Sequence, residues 1–216
     1  MPKLTAASDQ PTPTAPQRPG DLAGPTPTED HRGDHEFGEL LATFRELQAA
    51  LSAAAPPIGL MGQLRRELRS ATERLAEFRV PEQERYSQRN EMEGRGSPVL
   101  IPFAVEELSE RYMAVGVEFT DAHLGGNAAV HGGIIPLLFD DLMGKFTRNN
   151  GQGVSRTAFL NVNYGKVTPL YRPLRAEVSI DRMEGRKTWI TGGLLDGEEL
   201  LADADALFVR LLPGQP

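Results

Sequence analysis

The 216-residue chain contains no cysteine, so disulfide stapling, thiolate catalysis and cysteine-based metal sites are excluded together. It also lacks an excess of positive charge: 23 Lys and Arg stand against 30 Asp and Glu, for a net charge of −7. A nucleic-acid binder needs a basic, phosphate-tracking surface, so nucleic acid is not an expected partner. No stretch approaches the roughly 18 consecutive apolar residues of a membrane span. No apolar core follows a basic N-terminal segment, as a secretory leader would require. The expectation is a cytoplasmic protein without an integral membrane segment and without a bound metal or cofactor.

What is present divides the chain by composition. Residues 1–34 are rich in Pro, Thr, Ala and acidic residues (PTPTAPQRPGDLAGPTPTEDHRGD), with few large apolar side chains to bury, and read as a disordered tail. His31 and His35 have the i,i+4 spacing that binds zinc on a helix, but no further ligands accompany them, and a solvated linker is the plainer reading. From Phe37 to about Ala55 the apolar positions Phe37, Leu40, Leu41, Phe44, Leu47 and Leu51 recur at helical spacing. Pro56 and Pro57 end that helix. A second pattern follows through Leu60, Leu64, Leu68, Ala71, Leu75 and Phe78, so residues 35–80 are expected to form a helical hairpin packed on the body or on a partner subunit. Glutamates interleave with the arginines of the second helix, which favours a solvated, salt-bridged surface over a membrane-lying one.

Beyond a polar stretch the period changes from 3.6 to 2. Residues 98–119 read as strands, followed by the loop DAHLGGNAAVHGG and the helix IIPLLFDDLMGKF. Four more strands are expected at about 155–165, 174–184, 187–195 and 199–211, with turns at Glu184-Gly185 and Asp196-Gly197. Strands, one long apolar helix and then an antiparallel meander describe an α+β domain in which one sheet wraps one central helix.

The candidate chemistry lies at the start of that helix. Gly132 and Gly133 lead into it and Pro136 falls in its first turn. Such a helix start offers unpaired amides and the positive end of the dipole, suited to a developing oxyanion. At 100° per residue, Ile134, Ile135, Leu138, Phe139, Leu142, Met143 and Phe146 share one half of the circumference. Asp140 lies outside it, on a stripe with Pro136 and Gly144. Asp141 lies at the edge of the apolar face, one turn before Lys145, a spacing for an ordinary ion pair. Two readings of Asp140 remain open on residues alone: a reacting carboxylate, or a solvated acid on an outer face.

The segment from Asn127 to Asp141, with His131-Gly132-Gly133 and an acid nine residues after the His, resembles the HGG-containing hotdog thioesterases related to the phenylacetate-pathway enzyme. The resemblance covers residues about 98–212 and none of the N-terminal half. It implies a hotdog fold, assembly as a homodimer or dimer of dimers, and hydrolysis of acyl-coenzyme A (acyl-CoA) to a free acid and CoA. By the same resemblance Asp140 is the general base or nucleophile and the Gly132 amide is the oxyanion donor, helped by Gly133 and positioned by His131. Thr157 falls where relatives keep a Ser or Thr that orients the water or carboxylate; the alternative is a plain β-branched strand residue. Asn127 resembles an Asn that relatives keep beside the thioester carbonyl, but it stands four residues before the His where the family has six, and Gly125 occupies the usual place. Nine residues from His131 to Asp140 amount to about 13.5 Å of helical rise, so Gly132 and Asp140 of one chain point apart and each site is expected to combine two subunits. Arg156, Lys166, Arg172 and Arg210 are the cations available for CoA phosphates. Two rivals stand beside this: a hotdog protein that binds acyl-CoA without hydrolysing it, and a hotdog dehydratase, which needs a catalytic His in a different local pattern.

Overall fold

The computed structural model describes residues 31–89 and 96–215. The tail expected over 1–34 lies outside the described residues as far as residue 30. Its last four residues belong to the first helix, α1 (His31–Ala53), where Asp34 in the first turn faces the positive end of the helix dipole. His31 and His35 therefore sit on a helix and not in a linker. Pro56 and Pro57 break the chain as expected, and α2 (Ile58–Ala76) follows.

The two helices are held differently. Leu41 of α1 is buried, and the helix lies against the short 3-10 turn Asp121–His123. Arg45 fastens it further, donating from Nη2 to the carbonyls of Ser97 at 3.1 Å and Leu100 at 3.3 Å. By contrast, α2 has no buried residue. Its apolar positions Leu60, Leu68 and Leu75 are all exposed, so within one chain it is α1 that docks on the body. Among the described residues no helix is long and apolar enough to cross a membrane.

The remainder is one antiparallel sheet around one helix. In chain order the strands are β1 (Phe103–Leu108), β2 (Tyr112–Val117), the small pair β3 (Leu124–Gly126) and β4 (Ala129–Val130), and, after α3 (Ile134–Thr147), β5 (Ser155–Tyr164), β6 (Leu174–Glu184), β7 (Lys187–Asp196) and β8 (Glu199–Arg210). The main sheet runs β1-β2-β6-β7-β8-β5, and β3 pairs with β4 apart from it. Gly185 and Gly197 each take positive φ at the first of two turn residues, which closes the β6–β7 and β7–β8 hairpins tightly.

The apolar face of α3 meets the sheet as its periodicity requires. Ile135, Leu138, Phe139, Leu142, Met143 and Phe146 are all buried, and burial of each such side chain is worth about 1.5–3 kcal/mol. The sheet answers with Met113, Val115, Ala176, Val178, Ile180, Ile190, Ala202, Ala204, Ala206 and Phe208. The small residues of β8 let the helix come close. Gly192 of β7 does so most acutely: a Cβ there would stand 3.0 Å from Met143 Cε and 3.1 Å from Phe139 Cε1. The helix rests directly on the β7 backbone.

Candidate active site

The chain reaches α3 through a loop pinned at successive points. His131 N–H donates to the His123 carbonyl at 2.8 Å, and the His131 carbonyl accepts from Ile134 N–H at 2.9 Å. Gly133, which caps the helix, donates its amide to His131 Nδ1 at 3.0 Å. A neutral ring that accepts at Nδ1 carries its hydrogen on Nε2, which leaves that nitrogen as the His131 donor. Engagement of the Gly133 amide also bears on the expectation that it assists Gly132: that amide is already taken by the His131 side chain. Among the described residues no acceptor meets the Gly132 N–H. The fold does not demand glycine here, since a Cβ on Gly132 would meet only the Tyr164 ring, at 3.8 Å, an ordinary contact. What the missing side chain provides is open access to that amide.

Asp140 stands on the outer side of α3, seven residues after the cap and about 10 Å along the axis. It is exposed, whereas Asp141 is buried, which separates the two neighbouring acids as the helical arithmetic predicted. Lys145 lies over the Phe103 ring, 4.9 Å from its centroid. Thr157 on β5 donates from Oγ1 to Asp140 Oδ1 at 2.6 Å, a short bond of the kind a charged acceptor makes. One carboxylate oxygen is thus fixed by a hydroxyl while the group remains open to solvent.

A β-bulge makes this contact compatible with the rest of the strand. Thr157 pairs with Phe208, but Phe159 pairs with Leu207, so one extra residue, Ala158, is inserted on β5. Beyond it Leu160, Val162 and Tyr164 pair with Ala206, Ala204 and Ala202, all buried against the helix. Thr157 and Tyr164 are seven residues apart, which in a regular strand puts them on opposite faces. The bulge restores the parity, and both reach α3: Thr157 at Asp140, and Tyr164 through its hydroxyl to the Gly132 carbonyl at 2.8 Å. Asn161 and Asn163 point the other way, donating to Asp205 at 3.1 Å and Asp203 at 2.8 Å.

The remaining candidates are placed as follows. Asn127 and Ala128 take φ 51° and 58° at the exposed tip of the β3–β4 hairpin, and Asn is among the few residues that accept this left-handed conformation readily. Lys166 pairs with Glu199, and Arg172 with Asp196 at 3.1 Å. Sequence reasoning passed over His123. Its Nδ1 accepts from the Thr120 amide at 3.0 Å, its ring packs edge-on to Phe119, and its carbonyl holds His131. Burial, with the Arg45 charge as a lesser cause, keeps its pKa below the usual imidazole range. Tyr164 was legible only as a strand-end residue. Nothing in the sequence marked its reach to the helix start.

Known proteins match this architecture. A solved thioesterase superfamily protein aligns with a TM-score of 0.69 at 24% identity, covering 80% of this chain and 94% of that one. The chain carries the hotdog fold. Residues 98–212 are only about half of the chain, so a match over 80% takes in helical-extension residues along with the hotdog itself. In sequence, the chain is 35% identical over 89 residues to acyl-coenzyme A thioesterase THEM4 of Mus musculus, covering 40% of this chain and 38% of the relative. It is 33% identical over 97 residues to the Rattus norvegicus protein of the same name, covering 44% of this chain and 41% of the relative. The matched part thus spans about two fifths of the curated relatives' length. No protein-family model matches the sequence.

Proposed function

We propose that this hotdog protein hydrolyses acyl-CoA thioesters to the free acid and CoA, in the manner of the HGG-containing, phenylacetate-type thioesterases. The observation that carries this reading is the Asp140 carboxylate, exposed and held by Thr157 at 2.6 Å on the helix whose open end presents an unpaired Gly132 amide. A protein that only binds acyl-CoA has no use for such a carboxylate near a thioester. The names of the mouse and rat relatives support the same activity.

In the mechanism, Asp140 removes a proton from water as the oxygen attacks the thioester carbonyl. The carbonyl oxygen, now negative, accepts from Gly132 N–H at the positive end of α3. Collapse of the tetrahedral intermediate breaks the C–S bond, and the CoA thiolate takes the proton back from Asp140. Direct attack by the carboxylate is the alternative: it expels the CoA thiolate to leave an anhydride, and the water that opens the anhydride supplies the proton the thiolate takes up. Gly132 lies just before α3 and Asp140 well along it, so the reading pairs Gly132 of one subunit with Asp140 of another. The open edge strand β5, which bears Thr157 and leaves Phe159 exposed, supports a homodimer with its sites at the subunit boundary.

The test is thiol release from short, long and aromatic acyl-CoA esters, comparing the wild type with Asp140→Asn. Turnover that falls about a hundredfold or more in the variant is the expected result, the scale on which a general base contributes. Binding of the esters with no thiol released would replace the enzyme reading with that of an acyl-CoA binding module.

A further inference from the structure

We infer that Tyr164 is a positioning residue for the oxyanion donor, acting with His131 to hold the Gly132–Gly133 peptide unit at both ends; this rests on the thioesterase reading. The carbonyl of that unit belongs to Gly132 and accepts from Tyr164 Oη at 2.8 Å. Its N–H belongs to Gly133 and donates to His131 Nδ1 at 3.0 Å. One rigid plane is therefore gripped by a donor on one side and an acceptor on the other. Two glycines in succession would otherwise leave this stretch of backbone unusually free.

Fixing that plane fixes the amide next to it. Gly132 N–H is separated from the gripped carbonyl by the two soft torsions of Gly132 alone. On its other side the His131 backbone is held by His123 and Ile134. With both flanks restrained, the unpaired N–H keeps one direction before substrate arrives. Preorganisation of this kind is what gives an oxyanion donor its effect, because no reorientation is needed as charge develops. The hydroxyl suits this role because Tyr164 is 55% exposed, so the bond contributes little to the core whose packing holds the fold together.

The same strand serves the other half of the chemistry. Thr157 grips Asp140 and Tyr164 grips the helix start, and the Ala158 bulge gives β5 both contacts. In the two-subunit reading, β5 of each chain therefore sets the carboxylate of one site and the amide of the other.

The experiment compares wild type with Tyr164→Phe, which keeps the ring and removes only the donor. Steady-state thiol release should show kcat lower by about tenfold or more with KM within about twofold, the signature of a misaligned transition-state contact. Tm should be unchanged. In the same pair of proteins, the Gly132 and Gly133 amide resonances in 1H–15N spectra should shift and broaden. If the wild type turns over and Tyr164→Phe keeps its kcat, the positioning role is overturned while the thioesterase reading stands. If the wild type releases no thiol, that reading fails, and the spectra still decide the clamp: unchanged Gly132 and Gly133 resonances in Tyr164→Phe overturn it.

Discussion

Replacing Gly192 by Ala adds one methyl group at the tightest point between helix and sheet. The new Cβ would lie 3.0 Å from the Glu177 carbonyl oxygen, 3.0 Å from Met143 Cε and 3.1 Å from Phe139 Cε1. These distances are tighter than ordinary van der Waals contact, so each neighbour must retreat by a few tenths of an ångström. None can do so freely. Phe139 and Met143 are fully buried, and Glu177 belongs to β6, fixed between β2 and β7. Overpacking of this sort costs about 1–3 kcal/mol, against a gain of about 0.4–1 kcal/mol from the stiffer unfolded chain, and the strain prevails. A net loss near 1.5 kcal/mol in a domain of this size lowers Tm by roughly 3–6 °C. Thermal melts by circular dichroism at one fixed protein concentration would measure it. Gly38→Ala is the matched control: the same methyl group meets nothing within 4 Å on α1 and should be neutral or stabilising by up to about 1 kcal/mol. A Gly192→Ala protein melting at or above the wild-type temperature would refute the close seating of α3 on β7.

Thr157→Val keeps the side-chain shape and removes the hydroxyl from Asp140, so thiol release should fall about tenfold with Tm little changed; full activity would make the 2.6 Å bond irrelevant to turnover. Gly132→Ala meets only an ordinary contact in the fold and should melt like the wild type, yet lose about tenfold or more in kcat/KM because the methyl group crowds the amide. The depressed pKa of His123 means that the unfolded chain takes up its proton first as pH falls. The stability it contributes is complete above the unfolded imidazole value of about 6.5 and is lost as pH drops through the lower folded value. His123→Asn, which retains an acceptor for the Thr120 amide, should therefore show a flatter fall in Tm between about pH 7 and pH 5; equal slopes would exclude His123 as the source.

Much of the domain could be read from periodicity. Ala176, Val178 and Ile180 alternate with polar neighbours and are buried as that alternation requires, and the strand limits expected from 155 onward fall within one residue of those found. Helical arithmetic likewise separated exposed Asp140 from buried Asp141. Three features stayed hidden, each for a physical reason. The bulge at Ala158 carries no glycine to announce it, so strand parity set Thr157 and Tyr164 on opposite faces. The loop before α3 contains a hairpin too short for any alternation to show, with Asn127-Ala128 as its turn. The apolar stripe of α2 reads as a buried face, yet it is exposed, because periodicity reports which side of a helix is apolar and not whether anything covers it.

Sheet order has a consequence for the timing of assembly. Strand β5, which holds both Thr157 and Tyr164, borders neither β6, its successor in the chain, nor β4, its predecessor; its one neighbour in the sheet is β8. As the ribosome extends the chain, β1 can join β2 and β6 can join β7 by local hairpins, but β5 must wait some forty residues for β8, and β2 longer still for β6, loops whose closure entropy opposes early pairing. The helix, its amide and its carboxylate exist before then, unaligned. Alignment comes with the arrival of β8, so a nascent chain holds the parts of the site before it holds the site.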